Sequence, residues 1–177
     1  MYLDKRNQVE IEQHKQVEFA FHILNYNQGL IQFADGKANA LLLINSIFIA
    51  SITPFIEKVS KAGAHLGTAL LLFFFISSVV SVLMALGVIM TRKVPDIENK
   101  SKTLIFYGHI VDAHSPEGYI HEFSSAEVKK FREGILTNIF VVSQIANTKF
   151  AIYNFAQAMT LISCLLWILC VIYLPFA

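Results

Sequence analysis

Few residues in this chain stand at spacings that chemistry could use. His121 adjoins Glu122, but no histidine follows three residues after the glutamate, so the zinc-hydrolase pattern is not formed. His109, His114 and His121 are five and seven apart, which fits no standard metal-ligand pattern. Loop histidines at such spacing are ordinarily polar surface. Tyr107-Gly108-His109 reads as a turn and not as a nucleophile elbow, and the serines have no recognisable acid–base partners. No glycine-rich phosphate loop is present. Cys164 and Cys170, six apart in one apolar block, point to different helix faces, against both a disulfide within the helix and a metal pair. The expectation is a protein without catalytic centre, metal or resident cofactor, and not an enzyme.

Two charges stand out because of where apolar runs begin. Asp35 lies just before the uncharged stretch Ala38 to Ile56, and Lys149 just before the uncharged stretch Phe150 to Ala177. Both fall on an alternating three- and four-residue step, the one through Val17, Phe21, Leu24, Gln28, Ile31, Asp35 and Ala38. The other passes through Val128, Phe131, Ile135, Asn138, Val142, Ile145, Lys149 and Ile152. A buried carboxylate without a partner costs several kcal/mol, so Lys149 is expected as the counter-ion of Asp35. Lys37, two residues on, points to nearly the opposite side. Asn39 and Asn147 are expected to complete the hydrogen bonding. The competing reading takes these as interfacial charges that extend into lipid headgroups.

The elements that hold these residues are long helices. Hydrophobic residues make up 55% of the chain and charged residues 15%, well below the ~25% usual for soluble domains. The stretch Ala38 to Ile56 matches the roughly 20 residues needed to cross a hydrocarbon layer ~30 Å thick. Its Leu, Ile and Phe residues favour insertion by about 3 to 6 kcal/mol together, which the amide of Asn45 within the run does not outweigh. A second run, Leu66 to Thr91, ends at Arg92 and Lys93. Its small residues Ser77, Ser78, Ser81, Ala85 and Gly87 could admit close packing.

The fold class is therefore an all-α membrane protein with three transmembrane helices. A helical stalk is formed by the N-terminal helix and the extended last helix. The expected segments are a cytoplasmic amphipathic helix over 1–37, spans over 38–56, 66–91 and 150–177, an external loop over 57–65, and a cytoplasmic loop and helix over 92–149. Within that last segment Ser115-Pro116 and Gly118 mark turns, and Ser124-Ser125-Ala126-Glu127 has the form of a capping box. A beside-lying stripe of Phe19, Ile23, Tyr26, Leu30 and Phe33 widens the apolar face of the first helix.

Orientation follows from the basic residues. The N-terminal segment has four Lys or Arg, the 57–65 connection two, the 92–149 segment eight and the tail none. The N-terminus is placed in the cytoplasm and the C-terminus outside, in a multi-pass membrane protein. The net charge of +1 offers no basic stripe for nucleic acid. No cleavable signal peptide is apparent in the polar residues 1 to 16.

The segment FADGKANALLLINSIFIAS, the long apolar span, IFYGHI and the entry NTKFAIYN into the last span together resemble the membrane effectors of bacterial Pycsar antiphage defence. The resemblance runs from about Leu24 to Tyr173. It is carried by Ala34-Asp35 with Lys37-Ala38, by Phe106-Tyr107-Gly108-His109, and by Lys149. It implies a cyclase that makes a cyclic pyrimidine nucleotide after phage infection, and an effector that impairs the inner membrane and stops growth. The nucleotide is then the candidate activating ligand, and the cyclase a partner through its product. Arg92, Lys93 and His109, with Lys100 and Lys102, could meet its phosphate, and Phe106 or Tyr107 could stack on its base. The basic residues could equally serve only as anchors at the membrane edge.

Two functions compete at this stage. One is a membrane-disrupting effector, which requires a homo-oligomer because three spans in one chain do not readily enclose a pore. The other is a membrane anchor, scaffold or signalling subunit whose cytoplasmic helices recruit a soluble partner.

Overall fold

The computed structural model describes residues 2–62, 65–91, 110 and 115–176. Its elements are helices: α1 (Tyr2–Ala62), α2 (His65–Met90), α3 (Pro116–Ser125) and α4 (Val128–Tyr173), followed by a 3-10 turn over Leu174–Phe176. Among the described residues there is no strand. The segments Ile11–Ile56, His65–Met90 and Val128–Tyr173 are each long and apolar enough to cross a membrane, containing 18-residue stretches of mean hydropathy 1.8, 2.6 and 2.2. The chain is an all-α membrane protein with three candidate spans.

Two compact units are formed, the first from Met1–Leu30 with Lys93–Ala146 and the second from Ile31–Arg92 with Asn147–Ala177. In the second unit, α1 buries Ala34, Ala38, Leu41, Asn45, Ile52 and Val59. α2 buries Gly67, Leu71, Phe74, Ser78, Ser81, Ala85 and Val88. α4 buries Lys149, Tyr153, Ala156, Thr160, Ser163 and Cys170. Each set advances by threes and fours or by whole sevens, the 3.5-residue repeat of helices that pack side by side along their length. Hydrogen bonds between α1 and α4 join Asp35 to Lys149, Asn45 to Thr160 and Ser51 to Trp167, sequence separations of 114, 115 and 116. That near-constant offset makes the two helices parallel and in register. α2 runs the other way, with Val88 level with the first of these pairs and Ser81 with the second.

The outward face of the same unit is apolar: Leu43, Ile47, Leu72, Phe73, Leu83, Leu161, Leu165 and Ile172 are exposed, while serines, a threonine and an asparagine are buried. This inverts the soluble pattern. Lipid solvates the Leu and Ile side chains as well as a core does, so small and polar residues take the helix contacts. Gly67 shows the closeness: a Cβ there would lie 3.3 Å from the Leu174 side chain and 3.4 Å from Val59.

In the first unit, Ala20 and Leu24 of α1 and Ile135 and Val141 of α4 are buried. Phe131 joins them, its ring 6.2 Å from Phe21 and 5.5 Å from Phe123 of α3. Asn27 donates to Ser143 at 2.8 Å and Arg132 to Gln16 at 3.2 Å, each pair 116 residues apart.

Three expectations change. The first is the connection over 57–65, since α1 continues through Pro54 to Ala62. Ile52 and Val59, before and after the proline, are buried in one cluster with Phe74 and Leu174, which holds the helix across the missing amide. The Ser51 and Thr53 hydroxyls meanwhile donate to carbonyls of the preceding turn. The second is the capping box, which is not formed because Ser124 and Ser125 finish α3. A serine cap does occur at the start of α3, where the Ser115 hydroxyl accepts from the Gly118 amide at 3.0 Å with Pro116 opening the helix. The third is the phase of the buried line on α1, which runs through Ala20, Leu24, Ala34 and Ala38 and leaves Asp35 at its flank. Small alanines take the inside because they let the helices approach.

Candidate functional site

A charge at the edge of a membrane span can be held only if its hydrogen-bonding capacity is filled. Lys149 is 1% exposed. Its ammonium lies 2.5 Å from Asp35 Oδ1 on α1 and 2.6 Å from the Val88 carbonyl on α2. Val88 belongs to the last turn of α2, where carbonyls have no following helical amide to accept from. The lysine thus caps one helix and neutralises another. The Asp35 side chain is 34% exposed, so the pair has one dry end and one end open to solvent or headgroups.

The rest of the predicted cluster is only partly assembled. Lys37 lies with its ammonium 4.5 Å from the Phe33 ring centroid and 5.4 Å from that of Tyr153, a cation–π arrangement apart from the Asp35 carboxylate. Asn39 and Asn147 are both exposed. Their expected role is taken by the Val88 carbonyl, which no sequence pattern pointed to because it belongs to the backbone. Arg92, Lys93, Phe106, Tyr107 and His109 lie outside the described residues, as do Lys100 and Lys102.

Deeper in the same unit is a polar node. The Asn45 amide nitrogen lies 2.9 Å from the Leu41 carbonyl and 3.1 Å from each of the Ser81 and Thr160 hydroxyls, three acceptors that share its two hydrogens. Ser81 and Thr160 bond each other at 2.6 Å, and both reach the Ala156 carbonyl. Ser163 donates to Ser77 at 2.9 Å, and the Trp167 indole to Ser51 at 2.6 Å while its ring stacks on Phe48. All three spans are joined by Asn45, Ser81 and Thr160. Interhelical bonds of this kind contribute about 0.6 to 2 kcal/mol in membranes. Asn45→Leu is accordingly expected to lower stability by only about 1 kcal/mol, because Ser81 and Thr160 keep each other; a thermal midpoint in detergent measures this.

The Pycsar effector protein domain matches residues 19–176, nearly the whole chain. The chain belongs to the Pycsar effector family. No curated protein and no solved structure matches it. Membership supports an effector role in antiphage defence, and the matched region contains the whole Asp35–Lys149–Val88 site and the Asn45 node.

Within this Pycsar effector the node was the part that sequence reasoning passed over. In the sequence Asn45 reads only as an amide within an apolar run, and Ser81 only as a small residue. The available signal was spacing: Asn45 is ten residues beyond Asp35 and Thr160 eleven beyond Lys149, so a pair at one level predicts a pair at the next. Among the described residues no group of three or more His, Cys, Asp or Glu is arranged to hold a metal.

Proposed function

We propose that this Pycsar effector resides in the bacterial inner membrane with its N-terminus in the cytoplasm and impairs membrane integrity when a cyclic nucleotide signals infection. Growth arrest or death of the cell follows. The nucleotide is a cyclic pyrimidine nucleotide made by a partner cyclase. Arg92, Lys93 and His109 meet its phosphate and Phe106 or Tyr107 its base. No enzymatic step is part of this reading, and neither is nucleic acid. The bilayer is the target, and a homo-oligomer is the working form.

The observation that carries the proposal is the Lys149 ammonium, which joins α1 through Asp35 and α2 through the Val88 carbonyl. One buried charge tethers three spans at one level. Its release would leave a lysine, a carboxylate and a helix-end carbonyl unpaired together, and in a membrane such groups draw in water. The pair is read as a latch that keeps the spans closed until the signal arrives.

The experiment is coexpression of a cognate cyclase, or addition of cyclic nucleotides to cells producing the chain, while dye entry and membrane potential are followed. Dye entry and depolarisation that need both nucleotide and effector are expected. An unchanged membrane together with a copurifying soluble protein would replace this reading with the scaffold function.

A further inference from the structure

The bonds of the Asn45 node leave two of its atoms out. The amide nitrogen shares its hydrogens among the Leu41 carbonyl and the Ser81 and Thr160 hydroxyls. Because Leu41 presents an acceptor, the amide cannot be turned over to bring its oxygen there. Of the two hydroxyl protons, one lies between Ser81 and Thr160 and the other points to the Ala156 carbonyl. Every donor is committed. Asn45 Oδ1 and the Ser78 hydroxyl, on residues that are 0% exposed, have no hydrogen-bond partner. Bonding between helices accounts for the rest of the node but not for these two.

Asn45 is ten residues past Asp35, about 15 Å along the helix and near the middle of a hydrocarbon layer ~30 Å thick. Ser77 and Ser163, bonded at 2.9 Å, continue the polar line away from Lys149. Apolar side chains seal this line at both ends. Ala38, Leu41 and Ala85 stand between the node and Lys149, and Ile52, Phe74 and Cys170 stand beyond it. A polar middle between apolar constrictions is the layout of a path that opens by wetting.

The ligand that fits the two unpartnered atoms is water. An amide oxygen needs a donor, a lone hydroxyl takes either role, and water supplies both. A bare cation finds no countercharge, because the runs 38–56, 66–91 and 150–177 contain no Asp or Glu. We propose that the inward faces of α1, α2 and α4 line the route by which water and the hydrated ions it carries cross the membrane in the activated protein. Asn45 and Ser78 are the first contacts for water beyond the latch. This rests on the membrane-impairing function and names the surface that performs it. Water drawn to the parted Lys149 and Asp35 then has further polar atoms to reach about 15 Å deeper. The outward Leu and Ile side chains offer it nothing to bind.

The test labels single cysteines in the full chain, in cells that also produce the cognate cyclase, while membrane potential is followed. In a Cys164→Ala, Cys170→Ala background, Ser78→Cys and Ser163→Cys report the inward faces. Leu83→Cys and Leu161→Cys, at positions more than half exposed, report the outward ones. A charged methanethiosulfonate, which reacts with thiols in water, is expected to label the first pair at least tenfold faster than the second once the cyclase acts. If the cysteine-free chain is inactive, the same four substitutions are read in the native background against its own labelling. Asn45→Leu is an independent arm, in which depolarisation is expected to slow at least tenfold. A node that only joins helices predicts the opposite, a faster leak from a looser bundle. Faster labelling of the outward pair, depolarisation with neither pair labelled, or depolarisation at native rate or faster in Asn45→Leu overturns the proposal. A native chain that never depolarises the membrane ends the membrane-impairing function itself, so the two failures are told apart.

Discussion

Asp35→Asn is expected to cost more stability than Lys149→Met, although the two substitutions break the same ion pair. Removal of the negative charge leaves an ammonium that is 1% exposed with two neutral acceptors only, the Val88 carbonyl and the amide oxygen of the substituted side chain. Breaking a buried pair in this sense costs about 3–5 kcal/mol, and the remaining acceptors with the partial exposure of Asp35 bring the figure to about 2–4 kcal/mol. Removal of the lysine leaves a carboxylate already 34% exposed, which can turn outward, and Met fills the space, so about 1 kcal/mol is expected. Thermal midpoints of the two variants in detergent would show the order, and equal losses would contradict the geometry. In activity, the latch reading expects both to change the nucleotide dependence of dye entry; full native behaviour in both would end it. The exchange of Asp35→Lys with Lys149→Asp is expected to recover only part of the loss. An aspartate at position 149 would face the Val88 carbonyl, and two acceptors repel.

A reporter active only in the periplasm is expected to work when fused after Ala177 and to be silent when inserted beside Glu117. The effect is all or none. Eight Lys or Arg lie in the 92–149 segment and none in the tail, and basic residues flanking spans stay on the cytoplasmic side. Three spans put the two ends of the chain on opposite sides, consistent with the parallel course of α1 and α4. The reverse pattern would invert the protein and place its charged helices, and the proposed nucleotide contacts, on the side that intracellular cyclic nucleotides do not reach.

The helices were legible because their signal is one-dimensional. Uncharged runs measure a bilayer, and Leu66 to Thr91 needs no partner to be read as a span. The contact between Asp35 and Lys149 was legible for a related reason: each precedes a span of the same direction, so depth alone brings them together. What failed was the choice of face. Phe19, Tyr26 and Phe33 look like core residues by size, yet all three are exposed and Ala20, Ala34 and Ala38 are buried. Side-chain volume does not rank burial here, because close approach of helices favours small residues at the contacts. The third partner of Lys149 was illegible for another reason. A carbonyl becomes available because α2 ends there, and neither Val88 nor its neighbours advertise that in their side chains.

Trp167 is the sole tryptophan of the chain. Its ring lies 5.2 Å from that of Phe48, and its indole nitrogen is bonded to the Ser51 hydroxyl. Both contacts cross from α4 to α1, the same pair of helices that Asp35 and Lys149 join. An indole that exchanges a hydroxyl and an aromatic neighbour for water emits at longer wavelength. The protein therefore contains its own optical gauge of helix separation, readable in vesicles without a label and on the timescale of nucleotide addition.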